Sequence, residues 1–413
     1  MQPESIASRK PITNFNSLRL PDTAAFYLLA SISVSFLAGS SASTPLYPVY
    51  AAEWGLSPVT ITVIFGIYAV AVLFALLIGG RLSDHLGRRP VLLAASLGQA
   101  VSMALYSSAH DVTGLMVARV FQGLVTGAAL AAIGAAMIDI DKTRGALANA
   151  VAPPFGTGSG AILGGLFVQF LPAPTHLIYS ALGAVFIAQA IGLSFMSETI
   201  TPRAGFVKSL VPQLALPRAT RQPLLLAVPV LIAIWATAGF YGSLGPMLIR
   251  EMLGTHSPLL GGLGLFMLAT SAGISVLVLQ HREAKHMMTL GAASLVVGTA
   301  LSVAAISHAD ITLFFVGTAI AGIGFGTGFQ GAVRSVVPFA APHERAGLLS
   351  MIFLLCYLSM GGPAVVAGAM VARHGNILGV AQQFGVVVTA LGLAALVAAA
   401  LRNFTRRSTR RAH

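Results

Sequence analysis

The sequence predicts an all-α membrane protein: twelve transmembrane helices in two pseudo-symmetric six-helix bundles. Three observations carry this. The 413 residues are 56% hydrophobic and only 9% charged, with a mean hydropathy of +0.85; soluble domains carry about 25% charged residues. The apolar residues fall in runs of the ~20 residues that span a bilayer as a helix, without the ~10-residue alternating segments of a transmembrane β-barrel. Matching residues also recur at a constant offset of 201: Pro45 and Pro246, Phe65 and Phe266, Gly123-x-x-Thr126-Gly127 and Gly324-x-x-Thr327-Gly328, Arg144 and Arg345, Gly160 and Gly361. Internal duplication is characteristic of transporter folds whose site lies at the midplane between repeats.

The elements follow from where charge interrupts the apolar runs. A polar N-terminal tail (1–23) leads into span 1 (24–50), which stops before Glu53. Span 2 (59–80) and span 3 (91–109) flank a basic loop; Pro90 suits the first turn of span 3. Span 4 (112–138) runs from Asp111 to Asp139, and span 5 (146–170) follows Lys142 and Arg144. Span 6 (175–196) completes a first bundle, 24–196. The linker 197–222, with Arg203, Lys208, Arg218 and Arg221, is the longest internal polar stretch. Spans 7 (223–249), 8 (258–280), 9 (286–307), 10 (311–337), 11 (346–372) and 12 (380–401) form a second bundle, 223–401. A basic tail, 402–413, closes the chain.

Twelve spans put both termini on one side. With that side in the cytoplasm, 21 of the 24 lysines and arginines fall there, as the positive-inside rule requires. The net charge of +12 is thus an orientation signal that also favours anionic lipid headgroups, not a nucleic-acid surface. The expected location is the inner (plasma) membrane. Cys356 is the single cysteine, so no intramolecular disulfide forms; no C-x-x-C or His/Cys cluster supports a metal. No cofactor is expected.

The loop Gly80-Arg-Leu82-Ser-Asp84-His-Leu-Gly87-Arg88-Arg89-Pro90 resembles the loop between helices 2 and 3 of the major facilitator superfamily, and the resemblance extends over the whole chain. It implies that Asp84 and Arg88 latch the two halves at the cytoplasmic face in the outward-open state, with Asp139 or Asp141 as partner. Gly80 permits close helix approach, Gly87 the turn, and Arg89 holds the cytoplasmic face. His85 replaces the family's usual basic residue, which softens the latch and makes it sensitive to pH.

Arg119-Val-Phe-Gln122-Gly123 is similar to a second signature of that family. Arg119 lies eight residues beyond Asp111, about 12 Å along a helix, and an intramembrane arginine must face the bundle interior or a wet cavity. In span 5, Gly156, Gly160 and Gly164 form a smooth stripe for close packing. The segment resembles a signature of exporting antiporters, with Ala161 where that signature has proline and Pro153 and Pro154 one turn earlier. The resemblance implies that spans 1, 4, 7 and 10 line the pathway. Candidate substrate contacts there are Ser40, Ser41, Thr44, Arg119, Gln122, Trp235, Tyr241, Phe329 and Gln330, joined by Tyr68, Phe155 and Tyr357 on flanking spans. Aromatics among hydroxyls and amides suit an amphiphilic organic molecule.

All twelve acids sit in tails, loops or span ends. A lipophilic cation would meet no counter-charge and would be repelled by Arg119. The expected activity is therefore proton-coupled efflux of neutral or anionic amphiphiles by alternating access, performed by a monomer. Uptake or facilitated diffusion of a sugar or organic acid is the alternative. Proton coupling would run through Asp84 and Asp139, or through a substrate carboxylate near Arg119. A membrane enzyme is disfavoured by the lack of a nucleotide loop, an H-E-x-x-H string or a Ser/His/Asp constellation, and a channel by the lack of a repeated filter loop.

Overall fold

The computed structural model describes residues 19–411 except 206, 208–209, 213 and 255–256, with side chains as far as 398. Arg9, Lys10 and Lys208 lie outside the described residues, as do the side chains of Arg402, Arg406, Arg407, Arg410 and Arg411. Among the described residues, twelve helices are long and apolar enough to cross a membrane. They are span 1 Asp22–Trp54, span 2 Pro58–Gly79, span 3 Arg88–Ser107, span 4 Val112–Ile140, span 5 Lys142–Phe170 and span 6 Pro174–Ser194. The second six are span 7 Arg218–Ser243, span 8 Pro258–Leu279, span 9 Ala284–His308, span 10 Ile311–Phe339, span 11 Arg345–His374 and span 12 Ile377–Ala398.

Spans 1 and 7 depart from the continuous helices expected. Span 1 breaks after Ser41, makes a 3-10 turn at Thr44–Leu46 and resumes at Tyr47–Trp54. Span 7 ends at Ser243 and is followed by a short helix, Gly245–Leu253. Proline lacks an N–H and is tolerated without penalty only in a helix's first turn. Pro45 and Pro246 each occupy such a turn, so the repeat breaks both halves at the same place. The last helix continues to Arg411, through the segment expected as a separate tail.

Each half has its own apolar core. The first gathers Leu29, Ile32, Phe36, Tyr106 and Phe186. The second gathers Leu231, Ile234, Phe240, Phe314 and Ile352, and takes Ala161 from span 5. Spans 2 and 11, and spans 5 and 8, pack across the halves.

Lipid gives helices no hydrophobic drive to associate, so close approach of small residues supplies the contact. Gly156, Gly160 and Gly164 bring span 5 against the Val34, Ala38 and Ala42 carbonyls of span 1, inside the first half. The cross-half contact instead uses Gly158 and Gly165, which face Thr270 and Leu259 of span 8. Gly123 and Gly127 receive span 2: a methyl on Gly123 would lie 2.6 Å from Ala71 Cβ and 2.8 Å from the Tyr68 carbonyl.

The 201-residue match misleads at these glycines. Gly324 faces Leu295 of span 9 and Gly328 faces Val230 and Ile234 of span 7. The glycines that receive span 8, as Gly123 and Gly127 receive span 2, are Gly322 and Gly326. Two residues turn a helix face by about 200°, so an identity match preserves position along the span without preserving its neighbour. Likewise Gly160 packs on span 1 of its own half, whereas Gly361 packs on Gly66 across the halves. Gly127→Ala must displace the span 2 backbone and is expected to lower stability by about 1–3 kcal/mol. Gly362→Ala meets nothing within 4 Å and is expected to be neutral or stabilising by up to about 1 kcal/mol. Thermal unfolding in detergent, followed by size-exclusion fluorescence, separates the two.

Candidate functional site

Between the halves lies a cavity of about 660 Å³, walled by spans 1, 2, 4 and 5 on one side and 7, 8, 10 and 11 on the other. It reaches Gly80, Arg81, Ile138 and Ala346, at the end of the molecule that carries the 80–90 loop. The opposite end is shut. There Thr44 donates to the Gly242 carbonyl at 3.0 Å, Ser257 donates to Gln169 Oε1 at 2.9 Å, and Pro45 lies by Gly262.

The second half contributes an aromatic wall. Trp235 packs on Phe325, Phe329 and Tyr357 at ring separations of 6.0, 5.8 and 5.2 Å, and Phe353 adjoins Phe329 and Tyr357. Among the described residues the buried Trp235 Nε1–H has no partner. The first half contributes polar atoms: Ser40, Ser41, Thr44, Tyr68, Asn149 and Thr157. Pro153 and Pro154 also line the cavity, inside the continuous helix of span 5. With no N–H, they leave the Asn149 and Ala150 carbonyls without their helical donors. Arg81, at the mouth, is the one charged residue among the described lining.

Eight expected contacts, Ser40, Ser41, Thr44, Tyr68, Trp235, Phe329, Gln330 and Tyr357, line this cavity. Four do not. Tyr241 turns into the second half, where its hydroxyl meets Thr318 Oγ1 at 2.7 Å beside a separate void of about 30 Å³. Phe155 presses on Gly273 of span 8. Arg119 and Gln122 are sealed inside the first half, 1% and 0% exposed.

Arg119 lies in a box of tyrosines. Its Nη1 donates to the Ser40 carbonyl at 2.9 Å and to Gln122 Oε1 at 3.1 Å; its Nη2 donates to Ser43 Oγ and Tyr47 Oη. The rings of Tyr47, Tyr68 and Tyr106 lie 5.6, 5.3 and 5.7 Å from the guanidinium carbon. Cation–π contacts are worth about 0.5–2 kcal/mol each, more when desolvated. Tyr106 donates to Gln122 Oε1 at 2.8 Å. Among the described residues no carboxylate pairs with Arg119, and its Nε–H has no acceptor.

At the open end, Arg88 Nη1 meets Asp84 Oδ1 at 2.5 Å, and its Nε meets Asp139 Oδ2 at 3.1 Å. Ser83 accepts a further bond from Arg88. This triad lies wholly within the first half; around an open cavity mouth the halves stand apart. Asp141 takes no part: its Oδ1 accepts from Thr143 N and Arg144 N, both at 2.9 Å, capping span 5. Arg89 donates to the Leu193 and Ser194 carbonyls. Gly87 has φ +97 and lies against Glu198.

Sequence reasoning missed Glu198, which accepts from Arg88 N at 2.8 Å and Arg89 N at 3.1 Å and so docks the linker onto span 3. Arg203 N donates to the Asp84 carbonyl at 3.1 Å, and the Arg203 carbonyl lies 3.0 Å from His85 Nδ1. Nothing in the sequence signalled these contacts. Phe325 and Phe353 were also missed, although their i,i+4 spacing to Phe329 and Tyr357 was visible.

A family model described as Major Facilitator Superfamily matches residues 29–365. Multidrug resistance protein MdtL of Klebsiella pneumoniae (strain 342) is 26% identical over 347 residues, covering 79% of this chain and 84% of that protein. Among solved structures, nucleoside transporter NupG superposes with a TM-score of 0.68 at 13% identity over 90% of this chain and 98% of its own. The human organic anion transporter MFSD10 (TETRAN) gives 0.65 at 17% identity over 92% and 100%. At these identities the two structures establish the shared fold.

Arg88→Ala would leave Asp84 and Asp139 facing each other without a cation. The expected loss is about 1–2 kcal/mol of stability. Arg88→Lys should not restore it, because an ammonium cannot reproduce the guanidinium fork. Thermal unfolding of the two variants at low and high salt checks both statements.

Proposed function

The chain belongs to the major facilitator superfamily and is a multi-pass membrane transporter rather than an enzyme; from that premise we propose that it exports neutral or anionic amphiphilic organic molecules in exchange for protons. The observation that carries this reading is the central cavity, aromatic on one wall, hydroxyl- and amide-bearing on the other, and free of acids among its described lining. Apolar walls with a few polar groups suit amphiphilic ligands, and a quaternary cation finds no counter-charge there. The relative named as a multidrug resistance protein supports efflux. The neighbour titled as an organic anion transporter supports the charge preference.

We place the 80–90 end in the cytoplasm of the inner membrane. The described basic residues Arg81, Arg88, Arg89, Lys142, Arg144, Arg282, Lys285, Arg334 and Arg345 all fall at span ends on that side. On this orientation the cavity faces inward, the state in which an exporter loads its cargo, and both termini are cytoplasmic. The two halves then rock about the central cavity to expose it outward, the protein working as a monomer. Uptake of a sugar or organic acid would use the same cavity in the opposite direction.

Everted membrane vesicles with an acid interior test direction, coupling and charge together. Neutral and carboxylate-bearing amphiphiles are expected to accumulate inside and to collapse the pH gradient, with ethidium a poorer substrate. Preferred ethidium transport, or flux indifferent to the gradient, overturns the reading. Asp84→Asn is expected to uncouple flux from the gradient while leaving binding intact; unchanged pH-dependent flux would exclude that proton route.

A further inference from the structure

Arg119 is separated from the central cavity by very little. Ser40 and Tyr68 line the cavity on one side and touch the guanidinium on the other, through the Ser40 carbonyl at 2.9 Å and the Tyr68 ring at 5.3 Å. The partition is thus one residue thick. The remaining members of the box, Ser43, Tyr47, Tyr106 and Gln122, border no part of the cavity.

Three features make the enclosure look like a site rather than a purely structural knot. The guanidinium charge is uncompensated by any carboxylate among the described residues. Two buried donors, Arg119 Nε and Gln122 Nε2, lack partners among the described residues; a carboxylate presents two acceptor oxygens. The Tyr68 ring also borders open space. Its side chain has two rotatable torsions, and the cavity beside it measures about 660 Å³. Ser40, by contrast, touches Arg119 through its backbone, which a side-chain rotation cannot withdraw.

Resting on the reading of the cavity as the cargo site, we propose that Tyr68 is a movable partition whose rotation joins Arg119 to the cavity and admits the carboxylate of an organic anion to the guanidinium. With Tyr68 in place the cavity takes neutral cargo against its aromatic wall. With Tyr68 turned aside, the anion's apolar body rests on Trp235 and Phe329 while its charged end reaches span 4. Tyr47 and Tyr106 keep the guanidinium covered on its other faces. Charge selection would then lie in one side chain of span 2 rather than in any charge exposed in the cavity.

Phenylglyoxal modification of the full-length purified protein, read at Arg119 by peptide mass spectrometry, tests this. Wild type and Tyr68→Phe are expected to react slowly, because the ring and not the hydroxyl forms the barrier. Tyr68→Ala is expected to react at least tenfold faster at Arg119, with Arg81 and Arg88 unchanged. Biphenyl-4-carboxylate should protect Arg119 in Tyr68→Ala at concentrations where biphenyl-4-carboxamide does not. No acceleration, acceleration at all arginines alike, or equal protection by the two compounds each overturns the proposal. Flux of the carboxylate in everted vesicles reads the transport function separately. Flux without protection refutes the partition and leaves the transporter reading standing; protection without flux does the converse.

Discussion

A guanidinium inside a bilayer-spanning bundle must draw its hydrogen bonds from protein or from a wet cavity, since lipid offers none. Arg119 sets that condition for the first half. Its bonds reach span 1 at the Ser40 carbonyl, at Ser43 and at Tyr47, and its own span at Gln122; the rings around it come from spans 1, 2 and 3. The break in span 1 belongs to the same arrangement, because the turn at Thr44–Leu46 carries Ser43 and Tyr47 on its two sides. Removing one partner of a buried charge costs more than the pair contributes, so these four spans are fixed relative to one another by a single side chain.

Among the described residues the second half has no equivalent. Its contribution to the cavity is a run of rings, Trp235, Phe325, Phe329, Phe353 and Tyr357, packed on one another in tilted and edge-to-face pairs. The duplicated halves have therefore divided the work. One carries fixed polar geometry, and the other a hydrophobic aromatic face. Backbone acceptors freed by Pro153 and Pro154 add hydrogen-bonding capacity to the polar side without adding charge.

Much of this was legible in the sequence for a simple physical reason. Span number depends on hydropathy, which is additive along the chain. The triad of Arg88 with Asp84 and Asp139 was also legible, because the 80–90 loop resembles the family's charged loop; Asp84 and Arg88 stand on the two sides of the Gly87 turn, and Asp139 ends a neighbouring span. Facing was not legible. Arg119 reads as a cavity arginine until Tyr68 is seen to stand in front of it, and Tyr241 reads as lining until Thr318 is seen to hold it inward. A 201-residue match located Gly324 along span 10 correctly but on the wrong face, since rotation about the axis is fixed by side chains from other spans. Glu198 was invisible because its role is to bind backbone N–H groups, which every residue has.

The distribution of bond strengths also indicates which parts move. Within the first half, close glycine–carbonyl contacts and the buried guanidinium network tie spans 1, 2, 4 and 5 together. At the closed end, the polar contacts between halves are neutral and few: Thr44 to the Gly242 carbonyl, and Gln169 with Ser257. Neutral hydrogen bonds contribute about 1 kcal/mol net, and water replaces them readily when that end opens. The ion triad and the Glu198 end of the linker lie inside the first half, whereas Ala215 N of the same linker donates to the Gly347 carbonyl of span 11 at 3.2 Å. On the proposed rocking motion, the polar contacts exchanged at the closed end would be this weak set, beside the apolar packing of span 5 on span 8 and of span 2 on span 11.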